Sequence, residues 1–369
     1  MQKTVARPVK KTIEQFREEN EQIFNQKPIK KSKYTSIAKL DALLVKGNGK
    51  EPVIKIVSGK GAEIISFKTA LEKYKQEIEQ ILAKEEKPKD QFEAFINSNF
   101  ETPFLIVLGE KAHKQAIEIE MNFENNSATK IFVILSEGIE ATLAEKIKTS
   151  GNALIGETIL VKDSAKLSHV HINDLDENTI IYRQAILERD SSIESADFWS
   201  KGKLVRGKLT NVLEGRGSSA KQFEIVLSEK KDHFDLNYTA VHRGEDTFSN
   251  CLYKAALKDE SRNVFDGMIL IEKTGSKTNA FLQCNSMILG DKASSNQIPS
   301  LEIKTDDVKA THSASVARIE EEEIFYLQSR GIKRNEAEKM IIKSFLESVI
   351  FRASESTRKI LAEKLESLI

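Results

Sequence analysis

From Ala153 to Val308 the chain offers one strand-length apolar run after another, with no helical pattern of comparable length between them. The clearest runs are Glu157 to Val161, Leu167 to Ile172, Thr179 to Leu187, Leu204 to Leu213, Phe223 to Leu227, Phe234 to Val241, Cys251 to Leu257, Val264 to Ile271, Asn279 to Leu289 and Leu301 to Ile303. Turn residues separate them, as in Asp174-Leu-Asp-Glu-Asn178 and Gly215-Arg-Gly217. Regularly spaced strands without helices leave a sandwich, a barrel or a coiled solenoid. Hairpin dipeptides are nearly absent, and Asp266-Gly267 lies inside a strand pattern. Tight hairpins are therefore not the main connection, and a β-solenoid is the expected core although no fixed-length repeat marks it.

The flanks differ. The first hundred residues are expected to be helical: Ile13, Phe16, Ile23 and Phe24 leave a polar face, and Leu71, Tyr74, Ile78, Ile81 and Leu82 share one side of a helix that Ser66 can cap. Asp90 can cap a short helix with Phe92, Phe95 and Ile96 inward. Phe104 to Leu108, Ile117 to Met121 and Ile131 to Leu135 are strand-like, and a helix after Glu137 would align Ile139, Leu143 and Ile147. The chain ends helical: Glu320 to Glu323 suit a first turn, Gly331 suits a helix end, and Asn335 to Ile350 and Ser354 to Leu368 follow. The expected division is 1–152 helical and mixed, 153–316 β core, and 317–369 helical and partner-binding.

Lys and Arg total 56, as do Asp and Glu, so the formal charge is zero and no basic excess points to nucleic acid. Cys251 and Cys284 are too few for a disulfide framework and form no C-x-x-C. The longest uncharged run, Thr278 to Gly290, is short of the ~20 apolar residues a bilayer needs. The N-terminus has no apolar signal region, and a cytoplasmic, membrane-free protein is the expectation.

Catalytic signatures are missing. Gly275-Ser-Lys-Thr278 is out of register with a phosphate-binding loop and precedes a strand. Neither G-x-S-x-G nor H-E-x-x-H occurs. His169 and His171 lie two apart on one strand and face the same way, which fits either metal chelation or two partly buried histidines.

Gly244 to Glu338 carries a family resemblance. Its pieces are Ser261-Arg-Asn-Val-Phe265 with Gly267, Thr278-x-Ala280-x-x-Gln283, Pro299-Ser-Leu-Glu-Ile303, Asp307-Val308 with His312, Phe325-Tyr-Leu-Gln-Ser-Arg-Gly-Ile332, and Glu336-Ala337. In that order they resemble the SufB/SufD family of iron–sulfur cluster assembly proteins. The resemblance implies a right-handed parallel β-helix core between helical ends. It also implies edge-to-edge pairing as a SufB–SufD heterodimer or a homodimer, and a SufC-type ATPase held by the C-terminal helices. The SufB branch carries a cysteine where Ala293 stands and a Glu-His-Glu around His312; here the triplet is Thr311-His312-Ser313. The chain is thus similar to the SufD branch, though Ser313 departs from its usual Ser-His-Gly.

Clusters want thiolates, with histidine an occasional substitute, and two strand cysteines cannot supply a full set. The expectation is no tightly bound cofactor, but transient iron or an iron–sulfur cluster at a subunit interface, with His312 as a ligand or else a structural residue. Cys284 is either a weaker ligand candidate or an inert core thiol. The partner-binding candidates are Tyr326, Arg330, Ile341, Phe345, Leu346, Val349 and Ile350, a stripe wider than one packing side requires. Residues 320–369 are accordingly expected to be removable without unfolding the core, and Asn279 to Ala310 to form the subunit seam. A non-enzymatic assembly subunit follows; the alternative is a β-helix carbohydrate-active enzyme.

Overall fold

The computed structural model describes residues 12–26, 35, 44, 52–99, 103–124 and 127–369. Its strands alternate between two nine-stranded sheets. The even-numbered sheet contains β4 (Ala116–Glu124), β6 (Glu140–Ser150), β8 (Lys166–Leu175), β10 (Ser192–Lys201), β12 (Ser219–Ser228), β14 (Phe248–Leu257), β16 (Thr278–Ile288) and β18 (Val308–Arg318). The odd-numbered sheet contains β3 (Phe104–Leu108), β5 (Ser127–Leu135), β7 (Ala153–Val161), β9 (Thr179–Leu187), β11 (Val205–Leu213), β13 (His233–His242), β15 (Arg262–Ile271) and β17 (Ser294–Ile303). Successive strands of each sheet run parallel, which makes the body a flattened β-solenoid with two strands per coil. The same ladders already run through β3 to β6, upstream of residue 153.

Coil length explains why no repeat is visible. Glu140 lies beside Lys166, 26 residues on, whereas Arg262 lies beside Ser294, 32 residues on. What repeats is the inward face, because alternate residues of a strand point the same way. Leu135, Val161, Leu187 and Leu213 stack in register along one interior column.

Three expectations are corrected. The segment after Glu137 is strand β6, not a helix. Ile139, Leu143 and Ile147 are spaced by four, which satisfies a period of two as well as one near 3.6. Partners decide: Leu143 is flanked by Ile117 and His169 in adjacent strands. The first hundred residues are not all helical, since β1 (Val53–Ser58) and β2 (Ala62–Ser66) pair antiparallel with β4 and β3 and are the last strands at that end of the two sheets. Between them Gly61 has φ +98°, and a Cβ there would lie 2.3 Å from the Lys111 carbonyl. Leu71 to Leu82 is two helices, α2 (Phe67–Lys73) and α3 (Lys75–Lys84), broken at Tyr74.

α1 (Ile13–Gln26), α2 and α3 cover Leu105, Phe132, Leu160 and Ile186 on the outer odd face. α4 (Gln91–Ser98) starts at Asp90, whose carboxylate accepts from the Glu93 amide at 3.0 Å, Tyr182 at 2.8 Å and Arg206 at 2.9 Å. At the other terminus, α6 (Arg334–Ile350) and α7 (Glu355–Glu366) cover Val170, Ile172, Phe198, Phe223, Ile225 and Leu252 on the outer even face.

One interior residue predicts a pH response. His242 is fully buried, with Thr247 and Ser249 hydroxyls each 2.8 Å from its ring nitrogens, and burial pushes its pKa from 6.5 down to about 4. The unfolded chain therefore binds the extra proton first, and stability falls as pH drops from 6.5 towards 4, by up to roughly 1.4 kcal/mol per unit. Denaturant titrations across that window should show the acid slope reduced in His242→Gln. An unchanged slope would assign the acid limb to other groups.

Candidate functional site

The two ends of the solenoid differ in strand direction. At the N-terminal end the last strands, β1 and β2, run antiparallel to their neighbours. At the other end the last strands, β17 and β18, continue the parallel ladders, and each leaves an unpaired edge among the described residues. Most of β18 is exposed, and Val316 and Ile303 present apolar surface there. Pro299, which cannot donate to a ladder, sits in edge strand β17. At this end the open edges are β17 and β18; β16, part of the expected seam, is already covered by β18.

His312 is exposed on β18, in register with Leu282 and in the inward-facing rank. Cys284, one strand below, is buried; its thiol donates to the Ser313 carbonyl at 3.3 Å, and burial pushes its pKa up to about 11. That favours a neutral thiol, not a thiolate ligand. Cys251 is deeper and pushed up further.

The C-terminal stripe divides. Leu346, Val349 and Ile350 are buried against the solenoid, while Ile341 and Phe345 are half-buried. Lys254 fixes the base of this seam, reaching the Phe345 carbonyl at 3.1 Å and Ser348 at 2.6 Å. α5 (Glu321–Ser329) crosses beside α6, with Phe325 72% and Tyr326 59% exposed and the Arg330 guanidinium 5.4 Å from the Tyr326 ring. Between α5 and α6 lies an open groove of about 640 Å³, lined by the apolar Met287, Tyr326, Ile341 and Phe345 and by the acidic Glu320, Glu322 and Glu323.

A third feature lies inside the solenoid. His169 and His171 point inward with ring centroids 3.9 Å apart, and both are fully buried. They face Glu145 of β6 and Glu157 of β7, and below them lie Arg183 of β9 and Asp197 of β10. Asp197 also accepts from Gln222, and Glu224 accepts from Trp199 at 2.7 Å. Burial and Asp197 push Glu224 well up, so it is held protonated. Burial opposes charge on Asp197, but Arg183 and His171 outweigh it and keep the carboxylate ionised. Sequence reading found the two histidines but not these acids or Arg183. The available signal was a charged residue breaking apolar alternation, at Glu145 between Leu143 and Ile147.

A flattened, two-sheet parallel β-solenoid flanked by helices is the class that fold and site define. The chain belongs to the family whose model is described as "SUF system FeS cluster assembly, SufBD core domain", which matches residues 116–345. Within it the chain falls in the SufD branch. SufD of Escherichia coli K12 is 31% identical over 217 residues, 57% of this chain and 51% of that protein. SufD of Bacillus subtilis 168 is 27% identical over 246 residues, 64% of this chain and 56% of that protein. SufB of Bacillus subtilis 168 is 27% identical over 191 residues, covering 51% and 41%. The chain spans about half the length of the curated relatives it matches. Among the described residues, no helix is long and apolar enough to cross a membrane.

Proposed function

We propose that the chain is a non-enzymatic subunit of a SUF iron–sulfur cluster assembly complex, working in the reducing cytoplasm. It pairs through its β17–β18 edge with a SufB-type subunit, or with a second copy of itself, and docks a SufC-type ATPase at the α5–α6 groove. The observation that carries this reading is the outer edge of β17 and β18, which no further strand covers among the described residues. Free strand edges bind further strands unless blunted or covered. The groove fits the ATPase role, because exposed aromatics beside half-buried apolar and acidic lining residues suit an apolar plug on a basic surface. In the alternative, a carbohydrate-active enzyme, clustered carboxylates would line an open groove. Glu145, Glu157 and Asp197 are instead sealed in the core, and the exposed Glu320, Glu322 and Glu323 sit side by side at the start of α5 rather than facing one another across the groove.

Sedimentation tests the pairing: a dimer is expected for the chain alone or once a SufB-type subunit is added, and a monomer in both cases rejects it. His312 tests the chemistry. It is exposed at the proposed seam, so a thiolate from the partner can complete a ligand set around transient iron. His312→Ala should leave melting temperature and ATPase binding unchanged and lower cluster formation on the assembled complex, while His242→Gln leaves cluster formation unchanged. Normal cluster formation by His312→Ala would remove the residue from the chemistry.

A further inference from the structure

The interior histidine–carboxylate cluster has more polar capacity than its surroundings satisfy. Glu145 and His169, both ring nitrogens of His171 and Oε1 of Glu157 are buried, yet none of these atoms makes a hydrogen bond of proper geometry among the described residues. Several such atoms converging in a sealed core are costly, unless something they all bind lies between them.

The distances fit a metal ion. Nε2 of His169 and of His171 lie 3.3 and 3.2 Å from the same Glu145 oxygen, and 3.9 and 3.6 Å from the Glu157 carboxylate. Metal–ligand bonds of about 2.0–2.2 Å in a tetrahedron put ligand atoms roughly 3.3–3.6 Å apart. One donor atom from each of the four residues falls within a 4.8 Å set. Nδ1 of His171 faces Asp197 at 3.5 Å, the carboxylate–histidine arrangement that orients a metal-bound imidazole.

The charges present are compatible with such an ion. Glu145, Glu157 and Asp197 place three carboxylates in the core, and Arg183 supplies one guanidinium, bonded to Glu157 and to Asp197. With both imidazoles neutral, the form that binds metal, two negative charges remain, which one dication would cancel. Without an ion, a protonated His171 beside Glu145 and Asp197 offsets part of the same charge.

We infer that Glu145, Glu157, His169 and His171 form a closed, four-coordinate site for one first-row divalent transition-metal ion, Zn²⁺ or Fe²⁺, resident inside the solenoid. Paired imidazoles favour these ions over Ca²⁺ or Mg²⁺, and no thiolate takes part. The ligands come from β6, β7 and β8, so the ion ties three successive strands across both sheets. The four residues bury all their ligating groups, which makes the site structural rather than catalytic. It is separate from the transient iron proposed at the β17–β18 edge.

The test uses the full chain, unfolded with chelator and refolded with Zn²⁺, with Fe²⁺ under anaerobic conditions, or with Co²⁺ as an optical probe. About one equivalent should survive dialysis. Co²⁺ should show the visible bands of a tetrahedral nitrogen and oxygen site, without thiolate charge transfer. The ion retained when both metals compete distinguishes Zn²⁺ from Fe²⁺. Retention should be lost in His169→Gln and in the near-isosteric Glu145→Gln, and kept in His312→Ala. If the variants do not refold, X-ray absorption of the wild-type zinc form decides: two imidazoles and two oxygens support the site. The assignment is overturned by no retained ion in any arm, by a sulfur ligand, or by equal retention in folded His169→Gln and Glu145→Gln.

Discussion

Tyr326→Ala combined with Ile341→Glu should abolish capture of a SufC-type ATPase while leaving the melting temperature unchanged. Tyr326 is 59% exposed on α5, and Ile341 is half-buried in the lining of the same groove. Neither belongs to the set that buries α6 against the solenoid. An aromatic anchor at the centre of an interface costs about 2–4 kcal/mol when truncated, and a carboxylate driven into the apolar lining adds its desolvation. The expected loss is therefore at least about 30-fold in affinity. Leu346→Ala is the contrasting variant. Leu346 is fully buried beneath α6, so this change should lower stability by about 2–5 kcal/mol and affect docking only through unfolding. Capture that survives the double variant would move the ATPase to another surface.

Deleting residues 320–369, expected from the sequence to leave the core folded, does not make the same point as cleanly, because these residues pack on the solenoid. α6 and α7 cover Val170, Ile172, Phe198, Phe223, Ile225 and Leu252, and Lys364 binds Asp174 of β8 at 2.8 Å. Removing them strips one outer face of the solenoid, and an apolar patch of that kind aggregates. Loss of binding by the deletion would report loss of the fold.

Arg183→Met should destabilise the chain by about 3–5 kcal/mol, the cost of leaving buried charge without its partner. Arg183 bridges Glu157 and Asp197, and both acids are buried. Burial lowers its basicity, but Asp197 and Glu157 outweigh that and hold the guanidinium charged. An ion in the cluster does not rescue the variant, since it offsets Glu145 and Glu157 and not Asp197. Arg216→Met is the control: its bonds to Asp246 lie on the exposed surface, where an ion pair contributes little, and no measurable change is expected. Chemical denaturation of both variants checks the pair of expectations. Equal small effects would mean that water reaches the core and screens it.

The sequence alone determined the solenoid, the helical C-terminus and the family. The β runs are bounded by turns and lack hairpin dipeptides, and the motif order from Gly244 to Glu338 survives where single motifs are weak. Asp90 as a cap and the inward set Phe92, Phe95 and Ile96 were equally legible, because capping and helical periodicity are local. Tertiary structure decided whatever depends on residues far apart in the chain. Ile139, Leu143 and Ile147 fit two periods, and only pairing with β4 and β8 chose the strand. The apolar stripe of α6 is continuous in sequence, but the solenoid takes Leu346, Val349 and Ile350 and leaves Ile341 half-open. The interior cluster is the extreme case. Glu157 meets Arg183, and His171 meets Asp197, because coils of 26 residues set each strand beside its successor in register. That register fixes which charges share the core, and no local pattern in the chain records it.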